Sequence, residues 1–170
     1  MLSDTGISQL TKERYIAASP DLSKLLLCPD GSLGQSYANY ITGFGFDTDF
    51  YRKVEIQDDV SYLLFRLRQT HDIWHVLTGF QVDVMGEIGL KAFELAQTNR
   101  PLSGVLIAGI FLQTLFSKPQ ELDRLLAHIS QGYRMGVQAK PLLAQKWEVQ
   151  WEKPLNQWRQ ELDLVPVIPN

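Results

Sequence analysis

The chain contains no run of strict apolar–polar alternation built on β-branched residues, while residues that start and stop helices recur along its length. A half-buried strand needs that alternation, so a sheet has little to be built from. Leucine occurs 25 times against ten valines and ten isoleucines, and fourteen glutamines add to the excess of helix formers. Residues 6–18 have helical spacing. Ser19 and Pro20 open a short helix through Leu25–Leu27, which Pro29 and Gly31 stop. Ser32 with Gln35 reads as a capping box for a helix to about Ile41, and Gly43, Gly45, Asp47 and Asp49 punctuate a loop. Asp58 or Asp59 caps a long helix that ends near Gly79, and a second helix runs from about Val82 to Thr98. Asn99, Arg100 and Pro101 break the chain before an apolar helix over 101–116. Ser117 with Gln120 forms a further capping box, Pro119 falling in the first turn, for a helix to about Ala139. The last helix spans about Pro141 to Leu162 with a kink at Pro154, and the tail from about residue 163 is too rich in proline to be helical. The expectation is one all-α domain over residues 1–170, a bundle of about six to seven helices.

Charge and cysteine content narrow the function classes. Sixteen Lys and Arg against nineteen Asp and Glu leave a net charge of −3, the wrong sign for a general nucleic-acid binder. Cys28 is the single cysteine, so neither an internal disulfide nor a cysteine zinc cluster can form. MLSDTGISQL carries an acid and no basic cluster, so neither a secretory signal nor a transit peptide is expected. The longest uncharged run, Pro101 to Ser117, sits at the lower limit for a bilayer span and holds Ser103, Gln113, Thr114 and two glycines; it is expected to be a buried or groove-lining helix.

The chemistry concentrates on the long helix. Two of the three histidines, His71 and His75, stand four residues apart in HDIWH. That spacing puts both imidazoles on one helix face, about 6 Å apart at Cβ, where two nitrogens can bind one metal ion. Asp72 can close the site as a third ligand or orient an imidazole, and Arg68 on the same arc can meet an anionic group beside the metal. The same residues also suit a hydrogen-bonded surface cluster. Glu87, Lys91 and Glu94 lie on one stripe of the following helix, where Glu87 can add an oxygen ligand or pair with Lys91 on a solvated face. His128, among Leu125, Leu126 and Ile129, reads as a packed or capping histidine. In the 101–116 helix, Gly104 and Ala108 stand four apart and allow close approach of another helix or a slim apolar chain. Trp147, Trp151 and Trp158 would share one stripe of the last helix, packed on the bundle or facing a lipid.

HDxxH is similar to the HExxH helix of zinc proteases, but aspartate replaces the glutamate base and is one methylene short. The His71–Asp72 pair resembles that of metal phosphohydrolases of the HD type, which need further His and Asp ligands from other helices. HDIWHVLTGFQVDVMGE, reading HDxxH, eleven residues, then Glu, more closely resembles the signature of the coenzyme Q biosynthesis protein 4 family of ubiquinone biosynthesis. The likeness continues in YRMGVQAKPLLAQKWEVQWEKPLNQWRQEL. The resemblance implies an all-helical homodimer at the membrane where quinones are made. It implies a divalent metal, zinc with magnesium as the alternative, on His71, Asp72, His75 and Glu87. The implied activity is removal of the C1 carboxyl from a polyprenylated 4-hydroxybenzoate. That chemistry needs a proton donor, for which a metal-bound water or Asp72 is the candidate, and Arg68, Leu64, Gly104 and Ala108 are the candidates to lie against the substrate. The expected setting is bacterial, cytoplasmic and peripheral at the inner face of the membrane, with a prenylated lipid and other quinone-biosynthesis proteins as partners. The rival expectation is a non-catalytic prenyl-lipid-binding scaffold that organises those enzymes; a metal phosphohydrolase is third.

Overall fold

A computed structural model describes residues 5–49 and 54–168. Its α-helices are α1 (Thr5–Glu13), α2 (Leu22–Leu25), α3 (Leu33–Phe44), α4 (Asp59–Thr78), α5 (Val84–Thr98), α6 (Pro101–Ser117), α7 (Leu122–Gln138) and α8 (Leu155–Glu161). Among the described residues there is no strand, only an isolated bridge between Ser32 and Pro154. The fold is all-α, as the missing alternation predicts. Local signals set many of the ends. Ser32 and Asp58 accept hydrogen bonds from the backbone N–H three residues on, and Asp58 forms a reciprocal box with Ser61. Gly45, Gly79 and Asn99 close α3, α4 and α5 in the left-handed conformation.

Helix α4 is the axis of the bundle. Tyr62, Phe65, Arg66, Thr70, Trp74 and Leu77 are all buried, on several sides of the helix. The core collects Leu33, Tyr37 and Ile41 from α3, Trp74 and Leu77 from α4, Leu90 and Phe93 from α5, and Trp147 and Trp158 from the C-terminal region. Trp74 meets the edge of Phe93 at 5.6 Å between ring centroids.

Helices α5 and α7 pack backbone against backbone. A Cβ at Gly132 would stand 1.9 Å from the Gly89 carbonyl oxygen, and one at Gly136 would stand 2.7 Å from that of Phe93. Only glycine permits this approach, because the obstructing atoms belong to the opposite main chain. Gly132→Ala is therefore expected to cost about 1–3 kcal/mol as the helices are forced apart. The check is a lowered urea midpoint at unchanged slope; a midpoint equal to that of the parent would mean that the helices separate freely.

Three expectations are corrected by packing. First, of the two expectations for the 101–116 helix, groove-lining holds and buried does not: Leu102 and Leu106 line a groove, but within α6 only Ser103 is buried, while Val105 is 66% and Phe116 82% exposed. A helix apolar on every side would normally sit inside a core. Here α5 and α7 cover one side, where Ile107, Ile110 and Phe111 pack near Met85, Ile88 and Leu125. Ala108 is exposed, and no atom lies within 4 Å of a Cβ placed on Gly104, so that pair mediates no close helix contact. Second, residues 141–162 do not make one helix. Short 3-10 turns at Leu142–Ala144 and Trp147–Val149 precede α8. The chain folds back so that Trp147 and Trp158 meet at 4.8 Å inside the core and Trp151 packs on Tyr37 at 5.3 Å, which a straight tryptophan stripe would forbid. Third, Ser117 with Gln120 forms no capping box: Pro119–Glu121 makes a 3-10 turn without a side-chain cap before α7 begins. No helix among the described residues is long and apolar enough to cross a membrane.

Candidate metal centre

The end of α4 and the start of α5 build the site together. Gly79 terminates α4 with φ of 79°, the turn runs through Phe80, and Asp83 caps α5 by accepting from the Gly86 N–H at 2.7 Å. The turn lies so close on α5 that a Cβ at Gly86 would stand 2.0 Å from the Gln81 carbonyl, and one at Gly89 2.4 Å from the Phe80 ring. Arg159 of α8 steadies the other side, donating to the Val76 and Leu77 carbonyls that α4 leaves unpaired at its end. Glu87 thereby stands in the first turn of α5, facing the last two turns of α4.

His71, His75 and Glu87 each present one ligand atom, and these atoms lie within 4.8 Å of one another. The Nε2 atoms of the two histidines are 3.3 Å apart, and His75 Nε2 is 3.1 Å from Glu87 Oε1. His71 Nε2 is 3.7 Å from the other Glu87 oxygen. The orientation of His75 is set behind it, where Nδ1 lies 2.8 Å from the Phe80 carbonyl oxygen. A carbonyl only accepts, so Nδ1 donates in that hydrogen bond, and the ring turns Nε2 toward the carboxylate. Two imidazole nitrogens and a carboxylate oxygen thus converge from two helices, an arrangement that can hold a cation. Burial would push the Glu87 carboxyl up, but hydrogen bonds to His71 and His75 and their charges hold it well below the usual carboxylate range.

The other residues singled out in the sequence take different places. Asp72 is half-buried beside the trio but outside that 4.8 Å set, in keeping with its place about 100° around the helix from His71. Burial pushes the Asp72 carboxyl up; His71 and His75 pull it down and Glu87 pushes it further up. Arg68 is exposed and lines a groove of about 390 Å³ next to His71, together with Lys91, Arg100, Leu102 and Leu106. Leu64 is half-buried on α4, and Gly104 and Ala108 do not line that groove. Lys91 pairs with Glu94 at 2.7 Å. His128 bonds the Arg124 carbonyl at 2.8 Å on α7 and takes no part. Sequence reasoning missed Tyr40. Its ring stacks on His75 at 5.8 Å between centroids, and its hydroxyl is buried without a hydrogen-bond partner. Burial, with the charges of Asp72 and Glu87, pushes the phenol well above its ordinary range, so Tyr40 stays protonated. Only the aromatic spacing of α3 could have hinted at it.

These features define a class of protein: an all-helical bundle whose central helix carries a His-x3-His pair facing a carboxylate from the next helix. The family model of the coenzyme Q (ubiquinone) biosynthesis protein Coq4 matches residues 1–167. The chain belongs to that family. It is 32% identical over 169 residues to the ubiquinone biosynthesis protein COQ4, mitochondrial, of Debaryomyces hansenii, across 96% of this chain and 51% of the relative. The protein of the same name from Coccidioides immitis is 34% identical over 170 residues, across 96% and 58%. The chain therefore spans about half to three-fifths of the length of these curated relatives. A crystal structure of a Nostoc punctiforme protein, described as one of ubiquinone biosynthesis, superposes with a TM-score of 0.86 at 38% identity, covering 95% of this chain and 76% of that one.

Proposed function

We propose that the chain acts in quinone biosynthesis as a metal-dependent protein that removes the C1 carboxyl from a polyprenylated 4-hydroxybenzoate. The observation that carries this reading is the convergence of His71 Nε2, His75 Nε2 and a Glu87 oxygen beside a groove with cationic and apolar walls. His71, His75 and Glu87 would hold the ion, and a divalent cation there supplies Lewis-acid polarisation of a substrate oxygen. Two imidazoles suit zinc better than magnesium, which prefers oxygen ligands. Asp72, its carboxyl raised by burial, is the group suited to keep a proton and hand it to ring carbon C1. The C1–carboxylate bond then breaks, its electron pair stays on the ring, the proton from Asp72 joins C1, and carbon dioxide leaves. Tyr40 covers the back of His75 and keeps water from that face.

The apolar residues left exposed by α6, Val105, Leu112 and Phe116 among them, support a peripheral place at the inner face of a membrane. The same surface suits a homodimer contact or other proteins of quinone synthesis. It also favours a second reading, because it needs no metal: a non-catalytic scaffold that holds prenyl lipids. His71→Ala separates the two. Release of carbon dioxide from a prenylated 4-hydroxybenzoate is expected to fall at least about 10- to 100-fold while helical circular dichroism is kept. Normal quinone content in a deletion strain complemented with the folded variant would favour the scaffold.

A further inference from the structure

Helices α4, α5 and α6 bound the groove beside the trio, and the residue at its base is Glu94. Its side chain is 2% exposed. One carboxylate oxygen accepts from Lys91 Nζ at 2.7 Å; the other accepts from Ser103 Oγ at 2.7 Å and from Arg100 Nη1 at 3.3 Å. Long basic side chains ordinarily keep much rotamer freedom, and a buried carboxylate shared between two of them removes it. Lys91 and Arg100 each keep further N–H donors, and each side chain remains 23% exposed. Arg68 adds a third cation from α4, so cations outnumber the single carboxylate of the groove. Leu102 and Leu106 supply an apolar wall, and His71 opens onto the same space.

We infer that Lys91 and Arg100, set in place by Glu94, form an oxyanion subsite that takes the carboxylate of an apolar substrate whose chain lies along Leu102 and Leu106. The assignment rests on the prenylated-acid reading above and names the residues that recognise the acid. An anion entering a partly apolar groove loses hydration, and fixed N–H donors replace it without having to reorganise. Glu94 touches no substrate; it is a positioning residue.

Binding titrations in detergent micelles test this with three ligands: a geranylated 4-hydroxybenzoate, the matching geranylphenol without the carboxyl, and geranyl monophosphate. Lys91→Gln is expected to weaken the benzoate about 10-fold while changing the phenol by less than about 2-fold. Lys91→Arg should restore the benzoate. Arg68→Gln, at an exposed position where folding is not at stake, should shift the benzoate in the same direction by a smaller factor. Glu94→Gln separates positioning from simple charge. Removal of a negative charge should tighten anion binding if Coulomb attraction alone operates, whereas loss of positioning should loosen it. Equal losses for benzoate and phenol, or none in either, overturn the subsite, and tighter benzoate binding by Glu94→Gln overturns the role of Glu94. Stronger binding of the monophosphate with the same dependence on Lys91 supports the subsite and counts against the hydroxybenzoate reading. Absent carbon dioxide release with acid-over-phenol discrimination intact likewise removes the proposed reaction and keeps the subsite.

Discussion

His75→Ala is expected to weaken retention of a divalent ion by at least about 10- to 100-fold, the range commonly seen when even a supporting group of a metal site is lost. The imidazole is central in the trio, because its Nε2 lies 3.3 Å from His71 Nε2 and 3.1 Å from Glu87 Oε1. The same change leaves the Phe80 carbonyl without its partner and opens a gap beneath Tyr40. His75→Gln is the companion variant, since it keeps a donor and much of the volume. Competition against a zinc-chelating dye measures affinity, and circular dichroism reports the helices. One equivalent of zinc held with parental affinity by the folded variants would mean that these side chains do not bind metal.

Glu148→Ala is expected to give the largest loss of stability, about 3–5 kcal/mol, because it strands a buried charge. Arg66 lies on α4 with a side chain that is 0% exposed, and its Nη2 donates to Glu148 Oε2 at 2.9 Å and to the Gln145 carbonyl at 2.8 Å. The pair ties the helix that carries His71 to the 3-10 turn at Trp147–Val149. Without the carboxylate the guanidinium has no ion-pair partner among the described residues, whereas Arg66→Met combined with Glu148→Leu should recover much of the loss by replacing both partners with apolar groups. Urea denaturation measures both; a loss below about 1 kcal/mol for Glu148→Ala would show that water reaches the guanidinium.

What could be read directly from the chain was local. The cap at Asp58, the left-handed stop at Gly79 and the common face of His71 and His75 each depend on residues within one or two turns, and helix geometry alone relates them. The family signature extended that reach to Glu87, twelve residues beyond His75, but the contact itself depends on the turn at Gly79–Asp83 and on glycines that let it lie flat on α5. Tyr40 and the contacts of Glu94 with Arg100 and Ser103 were out of reach. Lys91 and Glu94 share a stripe of α5 at i,i+3 spacing, but a phenol that stacks on His75 from α3, and carboxylate partners that come from α6 and the residue before it, follow no helical period.

The two misread segments fail for one reason. Residues 141–162 have helical composition, yet burying Trp147 against Trp158 is worth more than continuing the helix, so the chain breaks into short turns. Helix α6 has the composition of a buried element, yet α5 and α7 cover one side of it. By itself, then, the sequence determined helix ends set by local caps, such as Asp58 and Gly79, and which residue types carry the chemistry. Only the tertiary structure decided which helices are covered, where Glu94 anchors its cations and which ring backs His75. Periodicity records the angle between neighbours on one helix, whereas burial and side-chain meetings depend on distances between helices, which no single stretch of chain encodes.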